Sequence, residues 1–249
     1  MVGTERDGRP GADGARALVW AAVPAAGSGS RMGSPVPKQY LEIDGRRLAE
    51  HTLDALLAAG CIHEIVVAIA PDDPLWPTLP ETLRGRVRTV HGGDDRAASV
   101  LHALGGFSRR PAAGDWVLVH DMARPCVRPE RIRSMIDELA GDEVGGLLAL
   151  PMVDTLKRAD DEGRVRETVD RSALWRAQTP QVFRFGMLER ALREARANGV
   201  AITDEAMAVE RLGLAPRLLR GSADNIKVTI ADDMELAEYY LSRRRGSRA

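Results

Sequence analysis

Apolar runs alternate along the chain with amphipathic stretches, and that rhythm predicts the fold class. LVWAAVP, Leu18 to Pro24, is continuously apolar and predicts a buried strand that opens into a glycine-rich loop. Ala49, Leu53, Leu56 and Leu57 then share one helical face, and Gly60 is a stop signal. EIVVAIA (Glu64 to Ala70) predicts a second strand and VRTV (Val87 to Val90) a third, with a helix opening in GGDDRAASVLHAL. WVLVHD (Trp116 to Asp121) predicts a fourth strand. PERIRSMIDELA (Pro129 to Ala140) reads as a helix with Pro at its start, and GGLLALP (Gly145 to Pro151) as a fifth strand. Continuously apolar strands separated by helices imply an α/β fold, a mostly parallel sheet with helices on both faces. Such sheets bind ligands outside the carboxyl ends of their strands.

The rhythm breaks between about Val153 and Thr179. Short polar–apolar alternations there (DTLKR, GRVRETV, ALWRAQT) surround a turn at Asp161, Glu162 and Gly163, predicting a projecting β-hairpin arm. Helices are expected again at Gly186 to Asn198 and Asp204 to Leu212, a late strand at NIKVT, and a closing helix at Asp233 to Arg243. Without an internal repeat or linker, residues 17–245 read as a single domain with its arm at about 153–179. Residues 1–16 are rich in Gly, Arg and Asp, lack the apolar stretch of a signal peptide, and read as a disordered leader.

Composition narrows the function. Of 249 residues, 35 are Lys or Arg and 36 Asp or Glu, for a net charge of -1. That balance speaks against a nucleic-acid or membrane partner, so any anion site is local. No apolar run reaches membrane-spanning length, and the expected location is the cytoplasm. Cys61 and Cys126 belong to no CxxC, which leaves neither a disulfide framework nor a zinc site. His51, His63, His91, His102 and His120 are scattered with no triad-like arrangement, and His120 reads as structural.

Three strings carry candidate chemistry. PAAGSGSRMGSPVPKQY, Pro24 to Tyr40, follows the first strand directly. Its small residues Ala25, Ala26, Gly27 and Gly29 let backbone N–H groups approach a triphosphate closely, and Arg31 and Lys38 add charge. The glycine spacing is GxGxxxG, which misses the dinucleotide fingerprint and argues against a dinucleotide oxidoreductase; the GK[ST] ending of a P-loop is absent too. HDMARP, His120 to Pro125, puts Asp121 at a strand end, where a lone carboxylate suits Mg2+, or else merely caps a turn. Arg124 offers a planar fork for a phosphate oxygen. In GGDDRAASV, Gly92 to Val100, the glycines, Asp94 and Ser99 suit a pyrimidine nucleoside; taken alone, the string is an ordinary helix start.

Taken together, PAAGSGSRM…PKQY, GGDDRAASV, VHDMARP, DTLKR, TVDRSALWRAQTPQVF, ITDEA and ADNIKVT closely resemble the 2-C-methyl-D-erythritol 4-phosphate cytidylyltransferase family of the non-mevalonate isoprenoid pathway. The strings run in family order from residue 18 to about 241. The resemblance implies a Rossmann-like sheet of the nucleotide-diphospho-sugar transferase type. It implies transfer of CMP from CTP to a small polyol phosphate with Mg2+ or another divalent cation. Pro24, Ala25, Ala26, Gly27, Gly29, Gly92, Gly93, Asp94, Arg96, Ser99 and Asp121 would bind the nucleotide, and Arg31 and Lys38 would stabilise the transition state. Asp121 would hold the metal, assisted by Asp224. Arg124, Thr155, Arg171, Thr203 and Lys227 would bind and orient the methylerythritol phosphate, with Arg171 and Lys227 also acting in catalysis. The family is a homodimer through its arm, so Thr155 and Arg171 would serve the neighbouring subunit's site. One departure is Met122, where the family usually has Ala in HDAARP; a slightly reshaped wall beside Asp121 is expected. A cytidylyltransferase for another polyol phosphate, such as ribitol 5-phosphate, remains the nearest alternative. A non-catalytic nucleotide sensor on the same fold is opposed by the presence of Arg31, Lys38, Asp121 and Lys227.

Overall fold

The computed structural model describes residues 17–27 and 36–246. Its strands, in chain order, are β1 (Val19–Pro24), β2 (Glu42–Ile43), β3 (Arg46–Arg47), β4 (Glu64–Ile69), β5 (Arg88–His91), β6 (Trp116–Val119), β7 (Gly145–Pro151), β8 (Leu156–Ala159), β9 (Val165–Val169), β10 (Trp175–Arg184) and β11 (Arg217–Arg220). The helices are α1 (Leu48–Ala58), α2 (Glu81–Arg84), α3 (Arg96–Gly105), α4 (Pro129–Glu138), α5 (Phe185–Ala197), α6 (Glu205–Glu210) and α7 (Ala231–Gly246). Seven strands form the central sheet in the order β11-β7-β10-β6-β1-β4-β5. Every neighbouring pair is parallel except the two made by β10, which runs antiparallel to β6 and β7.

Strand periodicity divides the core. Val19, Ala21 and Val23 of β1 face one side of the sheet, where they join Leu53 and Leu56 of α1 and Ile132, Met135 and Ile136 of α4. Trp20 and Ala22 face the other, against Ala97, Val100 and Ala103 of α3 and Leu188 and Leu192 of α5. Burial on both faces explains why β1, β4 and β6 read as unbroken apolar runs. A satellite cluster of Ile43, Leu48, Cys126, Val228 and Ala237 docks α7 on the small β2–β3 hairpin. That hairpin turns at Asp44-Gly45, both with positive φ (52 and 68), as a two-residue turn matched to strand twist requires. Gly60 takes φ 67 just beyond α1, the left-handed stop that its place in the sequence implied.

Three expectations change. NIKVT forms no strand; the last strand of the sheet is β11, paired only with β7. The NIKVT backbone instead serves loops and side chains: Val228 N–H donates to Ala123 O (2.8 Å), and Asn225 O accepts from Arg124 Nη1 (2.8 Å). The ribbon is also shorter than 153–179. β8 and β9 pair with each other, while Trp175, Arg176 and Ala177 pair with β7 in the main sheet. Finally, β10 itself carries no apolar signal through Gln178, Thr179 and Gln181, which are buried all the same. The leader, with residues 28–35 and 247–249, lies outside the described residues.

Candidate active site

β1 and β6 lie side by side and run parallel, so the loops leaving their carboxyl ends converge. β1 ends at Pro24 and runs on into Ala25, Ala26 and Gly27; β6 runs on through the buried His120 into Asp121. The segment leading into α3 approaches from the far side of β1, beyond β4 and β5. Together they border a cavity of about 390 Å3, which Lys38, Met122 and Lys227 complete. A smaller cavity of about 170 Å3 shares Arg96, Asp121 and Lys227 with it and extends to Arg124, Gln178, Thr179 and Thr203. Of the residues named from the sequence, Pro24, Ala25, Ala26, Gly27, Lys38, Gly93, Asp94, Arg96, Ser99, Asp121 and Lys227 line the larger cavity. Arg124 and Thr203 line the smaller.

Local chemistry fixes this surface. Ala25 N–H donates to Ala68 O (2.8 Å) and Gly92 N–H to Ile69 O (2.7 Å), tying both loops to the end of β4. A Cβ on Gly92 would run into Ala26, so glycine permits the two loops to close on each other, and one on Gly93 would run into Ala98 of α3, so glycine lets that loop fold back on its own helix. Ser99 Oγ accepts from Gly93 N–H (3.1 Å), and Asp95 caps α3 by accepting from Ala98 N–H (2.7 Å). Lys38 Nζ donates to Val228 O (3.1 Å), which draws the Lys38 turn toward the Lys227 segment.

Charge concentrates on Asp121. Its carboxylate is almost fully buried and accepts from Arg96 Nη1 at 2.6 Å and Arg124 Nε at 3.2 Å, with Lys227 Nζ at 3.0 Å. Burial pushes this carboxyl up, but the charges of Arg96, Lys227 and Arg124 outweigh it and hold it well below the usual carboxylate range. Arg96 is itself clamped by the fully buried Glu205, Nε to Oε1 and Nη2 to Oε2, both 2.9 Å. His120 is buried, and burial pushes its imidazole down to about 4. With Arg124 O accepting from its Nε2 (3.2 Å) and the Thr179 hydroxyl at its Nδ1 (3.0 Å), neutral His120 holds the turn around Asp121 in place. Thr179 Oγ1 in turn accepts from Asp121 N–H (3.0 Å).

The cavity suits a divalent cation only in part on its own. Among the described residues no group of three or more His, Cys, Asp or Glu side chains gathers to hold a metal. A lone carboxylate nevertheless fits Mg2+, which takes one or two carboxylates and completes its shell with water and phosphate oxygens. Asp121 offers such a carboxylate on the cavity wall, with Arg96 on one oxygen and Arg124 and Lys227 on the other, which a bound ion would have to share or displace. Asp224, expected beside it, lines neither cavity; its Oδ2 is bound by Arg128 (Nε 3.0 Å) and Arg244 (2.8 Å). Gly92 stands behind Gly93 and off the cavity wall. Thr155 and Arg171 are exposed on and beside the ribbon and line neither cavity. Gly29 and Arg31 fall outside the described residues. Met122 lines the cavity as expected, held by Thr52 Oγ1 donating to its carbonyl (2.7 Å). Glu205, Thr179 and Gln39 carry no expectation from the sequence although each sits inside a quoted string (ITDEA, TVDRSALWRAQTPQVF, PKQY); all three are buried among polar partners, a signal that only the fold reveals.

A glycine-floored, cation-walled cavity outside the carboxyl ends of a mostly parallel sheet defines an α/β protein built to handle a nucleotide or another phosphate ester. Comparison with known proteins narrows that class. The IspD family model, 2-C-methyl-D-erythritol 4-phosphate cytidylyltransferase, matches residues 19–243. The chain is 51% identical over 227 residues to the 2-C-methyl-D-erythritol 4-phosphate cytidylyltransferase of Pseudomonas putida (strain GB-1), covering 90% of this chain and 97% of that one. It is 49% identical over 225 residues to the same enzyme of Hahella chejuensis, covering 90% and 93%. The crystal structure of the Francisella tularensis enzyme superposes with a TM-score of 0.78 at 32% identity, covering 90% of this chain and 99% of that one. The chain belongs to the 2-C-methyl-D-erythritol 4-phosphate cytidylyltransferase family and is a nucleotidyltransferase. Among the described residues no helix is long and apolar enough to cross a membrane.

Proposed function

We propose that this chain transfers CMP from CTP to 2-C-methyl-D-erythritol 4-phosphate, giving 4-diphosphocytidyl-2-C-methyl-D-erythritol and pyrophosphate in isoprenoid precursor synthesis. The observation that carries this reading is the joining of both cavities at Asp121, Arg96 and Lys227. One cavity takes the nucleotide and the other the acceptor phosphate, and they meet where the reacting phosphorus would lie. The acceptor's phosphate oxygen attacks the α-phosphorus of CTP in line. A new P–O bond forms, the bond to the bridging oxygen breaks, and pyrophosphate leaves. The protein positions the reactants and offsets charge, so no protein nucleophile is required.

Pro24, Ala25, Ala26, Gly27 and Gly29 cradle the triphosphate. Gly93, Asp94, Arg96 and Ser99 hold the nucleoside side, and Gly92 lets their loop pack against Ala26. Arg31 and Lys38 offset the charge that grows on the α-phosphate and the leaving group. Lys227, Arg124 and Thr203 orient the acceptor. Asp121 is the residue that would hold Mg2+, whose charge, when bound, draws electron density from the phosphate oxygens. Thr155 and Arg171 serve the neighbouring subunit of a homodimer formed through the arm. What supports that assembly is apolar surface on the ribbon and at its base: Val153 is 75% exposed and Val165 63%, with Leu174 and Trp175 also exposed.

Pyrophosphate release, measured with CTP, UTP, ATP and GTP against methylerythritol phosphate and ribitol 5-phosphate, tests the assignment. CTP with methylerythritol phosphate should win by orders of magnitude. Equal or faster turnover of ribitol 5-phosphate would transfer the chain to the other polyol.

A further inference from the structure

The turn Lys38–Tyr40 is a single 3-10 turn, and three residues per turn throw its side chains in three directions. Lys38 and Gln39 both line the larger cavity. Tyr40 is buried, with its hydroxyl donating to Asp73 Oδ2 (2.6 Å). Gln39, 5% exposed, donates from Nε2 to the carbonyl of Ala25 at 2.9 Å. Ala25 is the first residue of the glycine loop and Lys38 follows its last; the amide therefore joins the loop's two described ends across 14 positions of chain. The Ala25 end is held again by its own N–H to Ala68 O, and the Tyr40 end by Asp73, so the amide bridges two anchored points.

We infer that Gln39 is a positioning residue for cytidylyl transfer, a clasp whose amide sets the distance between the backbone that cradles the triphosphate and the Lys38 ammonium. The inference rests on the reading of Lys38 as the transition-state cation. Without the amide the Ala25–Gly27 backbone and the Lys38 turn would each depend on a separate anchor, Ala68 for the one and Asp73 and Val228 for the other, and placement errors of about 1 Å between them are costly where charge develops. A side chain that merely fills space at position 39 has no reason to act through Lys38.

The test is a double-mutant cycle of Gln39→Met and Lys38→Met, reading kcat, CTP affinity by calorimetry and the melting temperature. Gln39→Met keeps the length and bulk and loses the donor. Alone, it should lower kcat about tenfold or more and CTP affinity by much less. In the Lys38→Met background it should lower kcat by less than about twofold, because the group it positions is gone. If Gln39→Met fails to fold, Gln39→Asn enters the same cycle, since its amide falls one bond short of the Ala25 carbonyl; the same pattern is expected. Equal fold-losses in both backgrounds, with Lys38→Met itself impaired, would overturn the clasp alone. A Lys38→Met enzyme with normal kcat would overturn the clasp and the reading of Lys38 together.

Discussion

Replacing Asp121 by Asn removes one negative charge from a buried position that three cations share and keeps the side chain's size. Three cations lean on that carboxylate, at 2.6, 3.0 and 3.2 Å. Arg96 retains Glu205 as a partner, and Lys227 is 38% exposed, so water compensates it in part. Arg124 suffers most: it is buried, and among the described residues its guanidinium keeps the carbonyl of Asn225 at 2.8 Å. Breaking a buried ion pair by removing one partner costs roughly 3–5 kcal/mol, and the two compensated cations place this case at the lower end, about 3 kcal/mol. For a chain of this size about 3 kcal/mol lowers the melting temperature by about 6–12 °C. Urea unfolding at neutral pH is the assay, with m unchanged and the midpoint lower. The pH dependence carries a sign. The folded-state carboxyl of Asp121 is depressed, so its stabilisation is present above the unfolded value of about 3.9 and fades as pH falls through and below it. The gap between wild type and variant should therefore be constant near neutral pH and narrow in acid. A variant as stable as wild type at neutral pH, or a gap that ignores acid, would refute the idea that Asp121 balances these cations.

Asp121→Asn should also lose Mg2+-dependent turnover with the fold intact; normal Mg2+ dependence in that variant would remove Asp121 from the metal site. Lys38→Met and Arg31→Met should each lower turnover by about a hundredfold or more while changing CTP affinity little, and near-normal turnover would cancel the assigned role. Asp115 accepts from Leu18 N–H (3.0 Å), Ala112 N–H (3.0 Å) and Trp20 Nε1 (3.1 Å) at the opposite end of β6 from the cavity. Asp115→Ala should thus cost about 3 kcal/mol of stability, seen in urea unfolding, with kcat unchanged. Arg171→Ala and Asp121→Asn subunits, each nearly inactive alone, should recover activity when mixed, because one site per heterodimer regains both groups. Heterodimers shown to form without recovery would return Arg171 to its own subunit or to no site.

What could be read from the sequence follows where burial was uniform. β1, β4, β6 and β7 lie inside the sheet with apolar residues on both faces, so their runs announce them. β10 is equally central yet was partly assigned to the arm. Its inner half spends Gln178, Thr179 and Gln181 on hydrogen bonds to Ser222 O, His120 and Asp204, and the register shifts between Ala177 and Gln181. Polar residues recruited to a site thus erase the pattern that marks a strand. NIKVT failed in the opposite sense. Its alternation imitates a strand, but its backbone partners are Ala123, Arg124 and Lys38 instead of a neighbouring strand. The site was legible in its loops, because glycine and charge at a strand end have a local meaning. Asp224 was not, because only the fold brings Arg128 and Arg244 onto it.

The central claim is a single bond-forming event between two named reactants. 31P NMR of the purified chain with CTP, Mg2+ and 2-C-methyl-D-erythritol 4-phosphate observes that event without coupling enzymes. The account predicts loss of the phosphomonoester signal, a new pair of coupled diphosphate resonances, and one pyrophosphate per diphosphate formed. CTP left intact, or CTP hydrolysed while the phosphomonoester signal persists, would contradict it.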